Sequence, residues 1–292
     1  MCIRDSGKTE AGNVNTGETI PFNEAFRRIM SAVPPGTAAA PLGTETVSLD
    51  AAAGRILAAD VRSDVDMPPF DKSAMDGFAC RAADLGRPLE IVGEIPAGTI
   101  PPFAVGPGEC ARIMTGGVLP GGADTVVMVE HTEIRDERMV VTRRSEARNV
   151  CRKAEDVREG EVVLRRGTLV TSAETAVLAA VGCVEVPVAR RPVLGIVATG
   201  SELVEPAERP SGAMIRDSNG AQLAAQAAAA GCIPRCLGIA GDAPETIGAV
   251  IDRARGAVDV FLFSGGVSMG AYDFVPAVLR GRGFELLVEK IA

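Results

Sequence analysis

Residues 261–274 read Phe-Leu-Phe-Ser-Gly-Gly-Val-Ser-Met-Gly-Ala-Tyr-Asp-Phe. The mostly apolar run Val258–Phe263 predicts a buried strand, which the serine and the two glycines end. Asp273 is a candidate cap for a following helix that has Pro276 in its first turn. A strand, a glycine-rich loop and a helix in this order let backbone N–H groups approach an anion closely. The same pattern also suits a tight turn that only packs a helix on a strand, and this stretch alone favours neither interpretation.

Composition excludes several classes of function. The chain has 292 residues, of which 47% are hydrophobic, and a net charge of -8. It has no Trp and one Tyr, whereas nucleic-acid binding usually needs a basic face and stacking aromatics. No apolar run reaches the ~18 residues of a transmembrane helix, so we expect no membrane partner. The seven scattered cysteines favour reduced thiols in a cytoplasm, and a single histidine, His131, argues against Ser-His-Asp chemistry.

Changes in residue composition and in the length of the apolar segments along the chain predict its domains. The first six residues are not the start of a secretory signal, because no apolar stretch follows them, and we expect residues 1–15 to be disordered or foreign to the natural gene. Short β-branched segments separated by Gly and Pro predict an inserted all-β domain at 62–150. The flanking segments 16–61 and 151–189 are each too small to fold alone, so we predict that they form one discontinuous N-terminal α+β domain.

From residue 190 to 292, strands alternate with helices. The predicted strands are Val193–Ala198, Pro234–Ala240, Val258–Phe263 and Phe284–Ile291. The helices predicted over the whole chain are Pro21–Val33, Ala51–Leu57 with Asp50 as its cap, Ser172–Val181, Ser218–Ala230, Ala243–Arg255 and Asp273–Leu279. Alternating strands and helices predict βαβ units, so we expect a doubly wound, mostly parallel sheet in a three-layer α/β domain.

Polar residues follow the predicted parallel strands, at the edge where such sheets bind ligands. Glu202, Asp217 and Asp242 are placed there, together with the loop at Ser264–Ser268. An anion-binding loop beside carboxylates is what a phosphate-bearing substrate with Mg²⁺ requires. Taken singly, Asp217 and Asp242 are better explained as helix caps and Glu202 as a solvated charge, so the prediction depends on their coincidence.

Three further polar segments precede the α/β domain. The stretch 66–79 contains Asp71, Lys72, Ser73 and Asp76, which core packing does not require to be so close together. The stretch 112–117 is a glycine-rich turn after a strand. In 149–156, Arg152 and Lys153 are candidate ligands of an oxyanion. The alternative for each is a polar loop or a solvated run of charges.

Five of these motifs, in this order, resemble the molybdopterin molybdenumtransferase family of the MoeA type, which is related to the gephyrin E domain. The resemblance covers roughly residues 16–292. The motifs are Pro68-Pro69-Phe70-Asp71-Lys72-Ser73-Ala74-Met75-Asp76-Gly77-Phe78-Ala79, Ile113-Met114-Thr115-Gly116, Thr199-Gly200-Ser201-Glu202-Leu203, Asp217-Ser218-Asn219 and Ser264-Gly265-Gly266-Val267-Ser268.

The resemblance implies insertion of molybdate into adenylylated molybdopterin with Mg²⁺, with release of AMP and molybdenum cofactor. It implies a homodimer that uses the α/β domain of one subunit and the β domain of the other, and an adenylyltransferase as a possible protein partner. The catalytic residues that it implies are Asp76, Thr115, Asp156, Glu202 and Lys290. The implied ligands of the pterin substrate are Thr199, Gly200, Ser218, Asn219, Ser264, Gly265, Gly266, Ser268 and Asp273. The implied ligands of Mg²⁺ are Asp217, Asp242 and Glu202.

The chain departs from the family pattern after Lys290. The family continues with a loop rich in Lys, Pro and Gly, and then with a C-terminal β domain, so we expect a truncated α/β domain and an incomplete molybdate site. Two other functions stay open. One is a gephyrin-like dimeric scaffold without turnover, and the other is an enzyme like the molybdopterin adenylyltransferases.

Overall fold

The structure is a computed structural model that describes residues 19–32, 42–266, 273–288 and 290–292, and the backbone of residues 2–5. The chain divides into two compact units. Met1–Ala58 and Val186–Ala292 form one, called here the α/β unit, and Ala59–Glu185 form the other, called the β unit. Among the described residues, no helix has the length and apolar character needed to cross a membrane.

The secondary structure alternates short strands with five helices among the described residues. The strands are β1 (Cys2–Asp5), β2 (Thr19–Ile20), β3 (Thr44–Ser48), β4 (Val61–Arg62), β5 (Lys72–Ser73), β6 (Gly77–Cys80), β7 (Leu89–Ile95), β8 (Glu109–Ile113), β9 (Thr125–Met128), β10 (Thr132–Arg135), β11 (Arg138–Val141), β12 (Val150–Cys151), β13 (Val162–Leu164), β14 (Glu185–Ala189), β15 (Val193–Thr199), β16 (Leu203–Val204), β17 (Ile215–Arg216), β18 (Ile233–Ala240), β19 (Val260–Ser264), β20 (Phe284–Val288) and β21 (Lys290–Ile291). The helices are α1 (Phe22–Ala32), α2 (Ser172–Ala180), α3 (Asn219–Ala229), α4 (Pro244–Ala254) and α5 (Val275–Arg280).

The centre of the α/β unit is a parallel sheet of order β18-β15-β19. The chain leaves the central strand β15 toward β18 through α3, and then crosses back to β19 through α4. Because such crossovers are right-handed, this reversal of direction puts the two helices on opposite faces. The core between the sheet, α4 and α5 includes Val197, Ile247, Ile251 and Val275. The doubly wound parallel fold is therefore confirmed.

The reversal of strand order defines where a ligand would enter this sheet. In open α/β sheets, ligands bind beyond the carboxyl ends of the strands, where successive connections leave in opposite directions. Here that position lies between β15 and β19, at Thr199 and at Ser264–Gly266. The Ser264–Gly266 loop therefore lies at the topological switch point.

The β unit is built on a six-stranded sheet of order β10-β11-β7-β8-β6-β9. Its pairings are antiparallel, except that β7 runs parallel to β8. Alternate residues of one strand face opposite sides, so Cys80 contributes to one apolar cluster and its neighbour Ala79 to another. The predicted β character of this region is confirmed.

Three strand pairs join chain segments that are distant in sequence. These pairs are β3 with β14, β4 with β13 and β5 with β12. In the α/β unit, Leu57 also bridges Val188, and the N–H of Ala58 donates to the carbonyl of Pro187 at 2.9 Å. The β3–β14 pair and the contact of Leu57 with Val188 connect the two segments that we predict to form a discontinuous domain, whose exact boundaries stay a prediction.

Some local structure differs from expectation. A 3₁₀ turn at Leu49–Ala51 replaces the predicted helix Ala51–Leu57. Gly54 follows with φ +76, which ends any helical continuation, and Leu57 pairs with the chain near β14. Within the segment predicted to be disordered or foreign, Cys2–Asp5 forms a strand antiparallel to β20. The cap position of α5 is occupied by Phe274 instead of Asp273, although Pro276 lies in its first turn as predicted.

Candidate functional site

The loop after β19 packs directly on the end of β15. The hydroxyl of Thr199, a residue only 4% exposed, donates to the carbonyl of Ser264 at 3.3 Å. Gly265 and Gly266 have φ values of +86 and +61, in the left-handed region that favours glycine. A Cβ on Gly265 would lie 2.3 Å from the carbonyl oxygen of Thr199. The approach of these two loops therefore depends on glycine, as a backbone cradle for an anion requires.

The loop after β15 holds Glu202 against the same edge. Gly200 has φ +151, and a Cβ there would lie 2.6 Å from Oε2 of Glu202. The carbonyl of Glu202 accepts the N–H of Ile215 at 2.8 Å, which extends the β16–β17 pair. This pairing brings the segments of Glu202 and Asp217 side by side.

Asp217 stabilises the start of α3. Its Oδ1 accepts the N–H of Gly220 at 2.8 Å, while its own N–H donates to Val204 at 2.9 Å. Asp217 lies one residue before the cap position, Ser218, but it accepts a bond from the first turn of α3 as a cap would. The capping bond uses only one carboxylate oxygen. Ser218 and Asn219, the other residues of the motif, are exposed at the same helix end.

Asp242 does not cap α4, contrary to the plainer interpretation. The cap position is Ala243, whose side chain accepts no hydrogen bond from the helix. Instead, Oδ2 of Asp242 accepts the N–H of Ser201 at 2.8 Å, and the N–H of Asp242 donates to Oγ of Ser201 at 3.1 Å. The carboxylate thus joins the loops that follow two neighbouring strands.

The three carboxylates have the right chemistry for Mg²⁺, which prefers oxygen ligands and usually takes one or two carboxylates together with substrate phosphates. The hydrogen bonds of Asp217 and Asp242 each use one carboxylate oxygen, which leaves the second oxygen of each for a cation. Within the described parts of the chain, however, no three His, Cys, Asp or Glu side chains form a group that could hold a metal ion. The predicted ligand set therefore fits Mg²⁺ by donor type, and its three-carboxylate form stays a prediction.

The β unit contains a second arrangement around Asp76. One oxygen of this exposed carboxylate accepts both the N–H of Thr115, at 2.6 Å, and its hydroxyl, at 2.8 Å. These two bonds hold the pKa of Asp76 below its ordinary value of 3.8. Backbone bonds between Ser73 and the turn at Gly116–Gly117 fix the two segments to each other. Two motifs that are far apart in sequence therefore meet.

The segment 149–157 packs on the same loop. Asp71 accepts the N–H of Lys153 at 2.8 Å and the guanidinium of Arg152 at 2.5 Å, and these bonds lower its pKa. Asp66 accepts the N–H of Glu159 at 2.9 Å and lies 3.2 Å from Nζ of Lys153, with a lowered pKa for the same kind of reason. The two cations are thus balanced by carboxylates, with which an oxyanion would have to compete.

The remaining predicted site residues are placed as follows. Asp156 is exposed, and its N–H donates to the carbonyl of Met67 at 3.0 Å. Lys290 is exposed on β21, and Asp273 lies two residues before α5. Ser268 lies outside the described residues. Sequence reasoning missed Ser201, whose only signal was its place between Gly200 and Glu202 in one motif.

Sequence and structure comparisons identify the relatives of this chain. Residues 20–182 match the sequence model of the MoeA N-terminal region (domain I and II), and residues 195–291 match a probable molybdopterin binding domain. The chain is 38% identical over 285 residues to a molybdopterin molybdenumtransferase of Bacillus subtilis, covering 94% of this chain and 65% of that protein. It is 41% identical over 256 residues to one of Nostoc sp., covering 85% of this chain and 59% of that protein.

A solved structure shares the fold. The molybdopterin biosynthesis MoeA protein from Pyrococcus horikosii superposes with a TM-score of 0.74 at 31% identity, over 90% of this chain and 67% of that one. The chain thus spans about two thirds or less of the length of the curated relatives named above. A family match over more than half of the chain, together with the shared fold, leads to one conclusion: the chain belongs to the MoeA family.

Proposed function

We propose that this chain takes part in molybdenum cofactor biosynthesis as a molybdopterin molybdenumtransferase. In the proposed reaction, the two dithiolene sulfurs of adenylylated molybdopterin bond to molybdenum and displace oxygen from molybdate as water. A water molecule adds to phosphorus and breaks the bond between the pterin phosphate and AMP, so that AMP leaves. The observation that carries the proposal is the glycine-dependent contact of Gly265 with Thr199 at the switch point, beside Asp242 and Glu202. The relatives from Bacillus subtilis and Nostoc sp. are both named molybdopterin molybdenumtransferase, which supports this proposal.

The roles follow from the chemistry of each group. Backbone N–H groups of the Ser264–Gly266 loop bind and orient the pterin phosphate. Asp242, Asp217 and Glu202 are the proposed ligands of Mg²⁺, which when bound neutralises the charge of the pyrophosphate. Lys290 lies on β21, the last strand of the α/β unit, and its positive charge attracts the anionic molybdate.

Two carboxylates of the β unit, Asp76 and Asp156, are also proposed to contact the substrate. Asp76 is the proposed acceptor of a hydrogen bond from the substrate, and its fixation by Thr115 and its ionised state at neutral pH support this role. Asp156 is a further family position with a carboxylate exposed for contact. We also propose that the protein is a cytoplasmic homodimer and that an adenylyltransferase supplies its substrate. Equilibrium sedimentation at several concentrations tests the dimer.

The test of function is release of AMP from adenylylated molybdopterin, with molybdate and Mg²⁺. It is done with the chain as given and with the full product of its gene, side by side. Folded full-length protein that releases no AMP would refute the enzyme and favour a scaffold. Asp242→Ala is expected to lower Mg²⁺-dependent turnover about tenfold or more. Its free energy of unfolding should fall by only about 1 kcal/mol, because one part-exposed hydrogen bond is lost.

A matched control removes another acid of the same unit. Glu208 is exposed in the loop between β16 and β17, where its carbonyl accepts a bond from Arg216 at 2.9 Å. Glu208→Ala keeps that backbone bond and is expected to leave turnover unchanged. A loss of stability in Asp242→Ala large enough to unfold the protein would mean that the carboxylate is structural.

A further inference from the structure

The loops after β15 and β18 are joined by a closed pair of hydrogen bonds. The N–H of Ser201 donates to Oδ2 of Asp242 at 2.8 Å, and the N–H of Asp242 donates back to Oγ of Ser201 at 3.1 Å. Each residue therefore gives a backbone donor and receives a bond on its side chain. A reciprocal pair fixes both side chains, because rotation of either one breaks a bond to the other loop.

The position of this pair is set by the end of the sheet. One residue before it, the N–H of Gly200 donates to the carbonyl of Ala240 at 3.1 Å, where the β15–β18 pairing ends. The pair thus continues the contact between the two strands into their loops. It leaves Oδ1 of Asp242 free of the bond to Ser201, while Oδ2 is held.

Helix capping does not explain the pair. The cap position of α4 is Ala243, and the carboxylate of Asp242 accepts its hydrogen bond from Ser201 on another loop, so Asp242 does not act as a cap of this helix. The carboxylate of Asp242 is instead directed across to the loop that contains Glu202. A structural cap would have no need of a partner on a different strand.

We infer that Ser201 is a positioning residue, which orients the carboxylate of Asp242 toward a divalent cation. The inference rests on the proposed function, since it assigns the free oxygen of Asp242 to the cation. Ser201 itself does not contact the cation. Its hydroxyl accepts a bond from the backbone N–H of Asp242, and its own N–H donates to Oδ2 of that carboxylate. Because both bonds fix the carboxylate, Oδ1 stays oriented toward the cation.

The test measures binding of Mn²⁺ alone, as a spectroscopic substitute for Mg²⁺, by the folded full chain without substrate. Ser201→Ala removes the hydroxyl that accepts the N–H of Asp242 and is expected to weaken Mn²⁺ binding about fivefold to tenfold. Ser201→Thr keeps that hydroxyl and is expected to restore binding to within about twofold of the unmodified protein. Ser211→Ala removes an exposed hydroxyl of the same unit and should leave binding unchanged.

A double variant tests whether Ser201 acts through Asp242. Asp242→Asn keeps an oxygen for the N–H of Ser201 and removes the charge, so it should weaken binding more than Ser201→Ala does. Adding Ser201→Ala to it should weaken binding no further, since the residue it orients is already neutral. Additive losses, unchanged binding in Ser201→Ala, or no binding of Mn²⁺ by the unmodified protein would each overturn the inference.

The two proposals fail in distinguishable ways. Absence of AMP release by a full-length protein that binds Mn²⁺, with the expected order of variants, would refute the proposed function and leave the positioning role standing. Normal AMP release with the same Mg²⁺ requirement in Ser201→Ala would refute the positioning role of Ser201 and leave the proposed function standing.

Discussion

Gly265→Ala tests whether the switch-point loop binds the substrate. Gly265 has φ +86, and an added Cβ would lie 2.3 Å from the carbonyl oxygen of Thr199, far inside ordinary contact distance. The substitution therefore has two structural effects. It strains the backbone at Gly265, and it pushes the Ser264–Gly266 loop away from β15.

The two contributions can be separated by a matched glycine. Gly231, at the end of α3, has φ +80, and an added Cβ there would meet nothing within 4 Å. Gly231→Ala should therefore cost only the left-handed conformation, about 1 kcal/mol. Gly265→Ala should cost that amount and a further 1–3 kcal/mol or so for the steric overlap, about 2–4 kcal/mol in all.

The assay combines urea unfolding with binding of molybdopterin followed by its fluorescence. We expect Gly265→Ala to lose at least about tenfold in affinity, because the backbone donors of the loop move, while Gly231→Ala binds normally. Equal stabilities of the two variants would show that the overlap at Thr199 is relieved without cost. Normal affinity in a destabilised Gly265→Ala would refute the placement of the pterin phosphate at this loop.

Two other predictions concern ionisation and burial. Because Thr115 lowers the pKa of Asp76, the charged form stabilises the fold above the ordinary pKa of 3.8, and this contribution is lost as pH falls through the folded value. The stability difference between Asp76→Ala and the unmodified protein should thus be constant above about pH 5 and shrink as the pH falls below the ordinary pKa, and a difference that does not shrink at any pH down to acid unfolding would exclude the charge as its cause. Cys80 and Cys110 are fully buried, and burial raises the pKa of each thiol to about 12. A thiol reagent near neutral pH should therefore modify the exposed Cys236 first and label the buried pair only after unfolding. Mass spectrometry of the native and the unfolded protein measures this order.

Periodicity alone predicted the long strands and helices from β15 to α5 to within about two residues. The predicted helix Ala243–Arg255 is observed as Pro244–Ala254, and the predicted strand Val193–Ala198 as Val193–Thr199. These elements are long and regular, so local pattern is enough to define them. Strand order is not local, and the reversal around β15 came only with the structure. The placement of polar residues at the carboxyl edge was nevertheless predictable, since any parallel order collects them there.

Side-chain partners were the least predictable part of the site. Asp217 and Asp242 look alike in sequence, each before a helix, yet only Asp217 bonds to the following helix. The partner of Asp242 lies on another strand, and no spacing rule connects it with Ser201. In the same way, the predicted helix Ala51–Leu57 was wrong because pairing near β14 and a left-handed Gly54 outweigh local propensity.

The hydrogen bond between Ala58 and Pro187 has a consequence for the order of folding. The α/β unit is assembled from two chain segments, and this bond closes a loop that contains the whole β unit. An unstructured loop of this length would cost on the order of 4 kcal/mol in closure entropy. Residues of the β unit leave the ribosome before those of the parallel sheet, so a β unit that folds first removes much of this cost. A mutation that delays folding of the β unit should then delay the α/β unit as well, although it lies outside that unit.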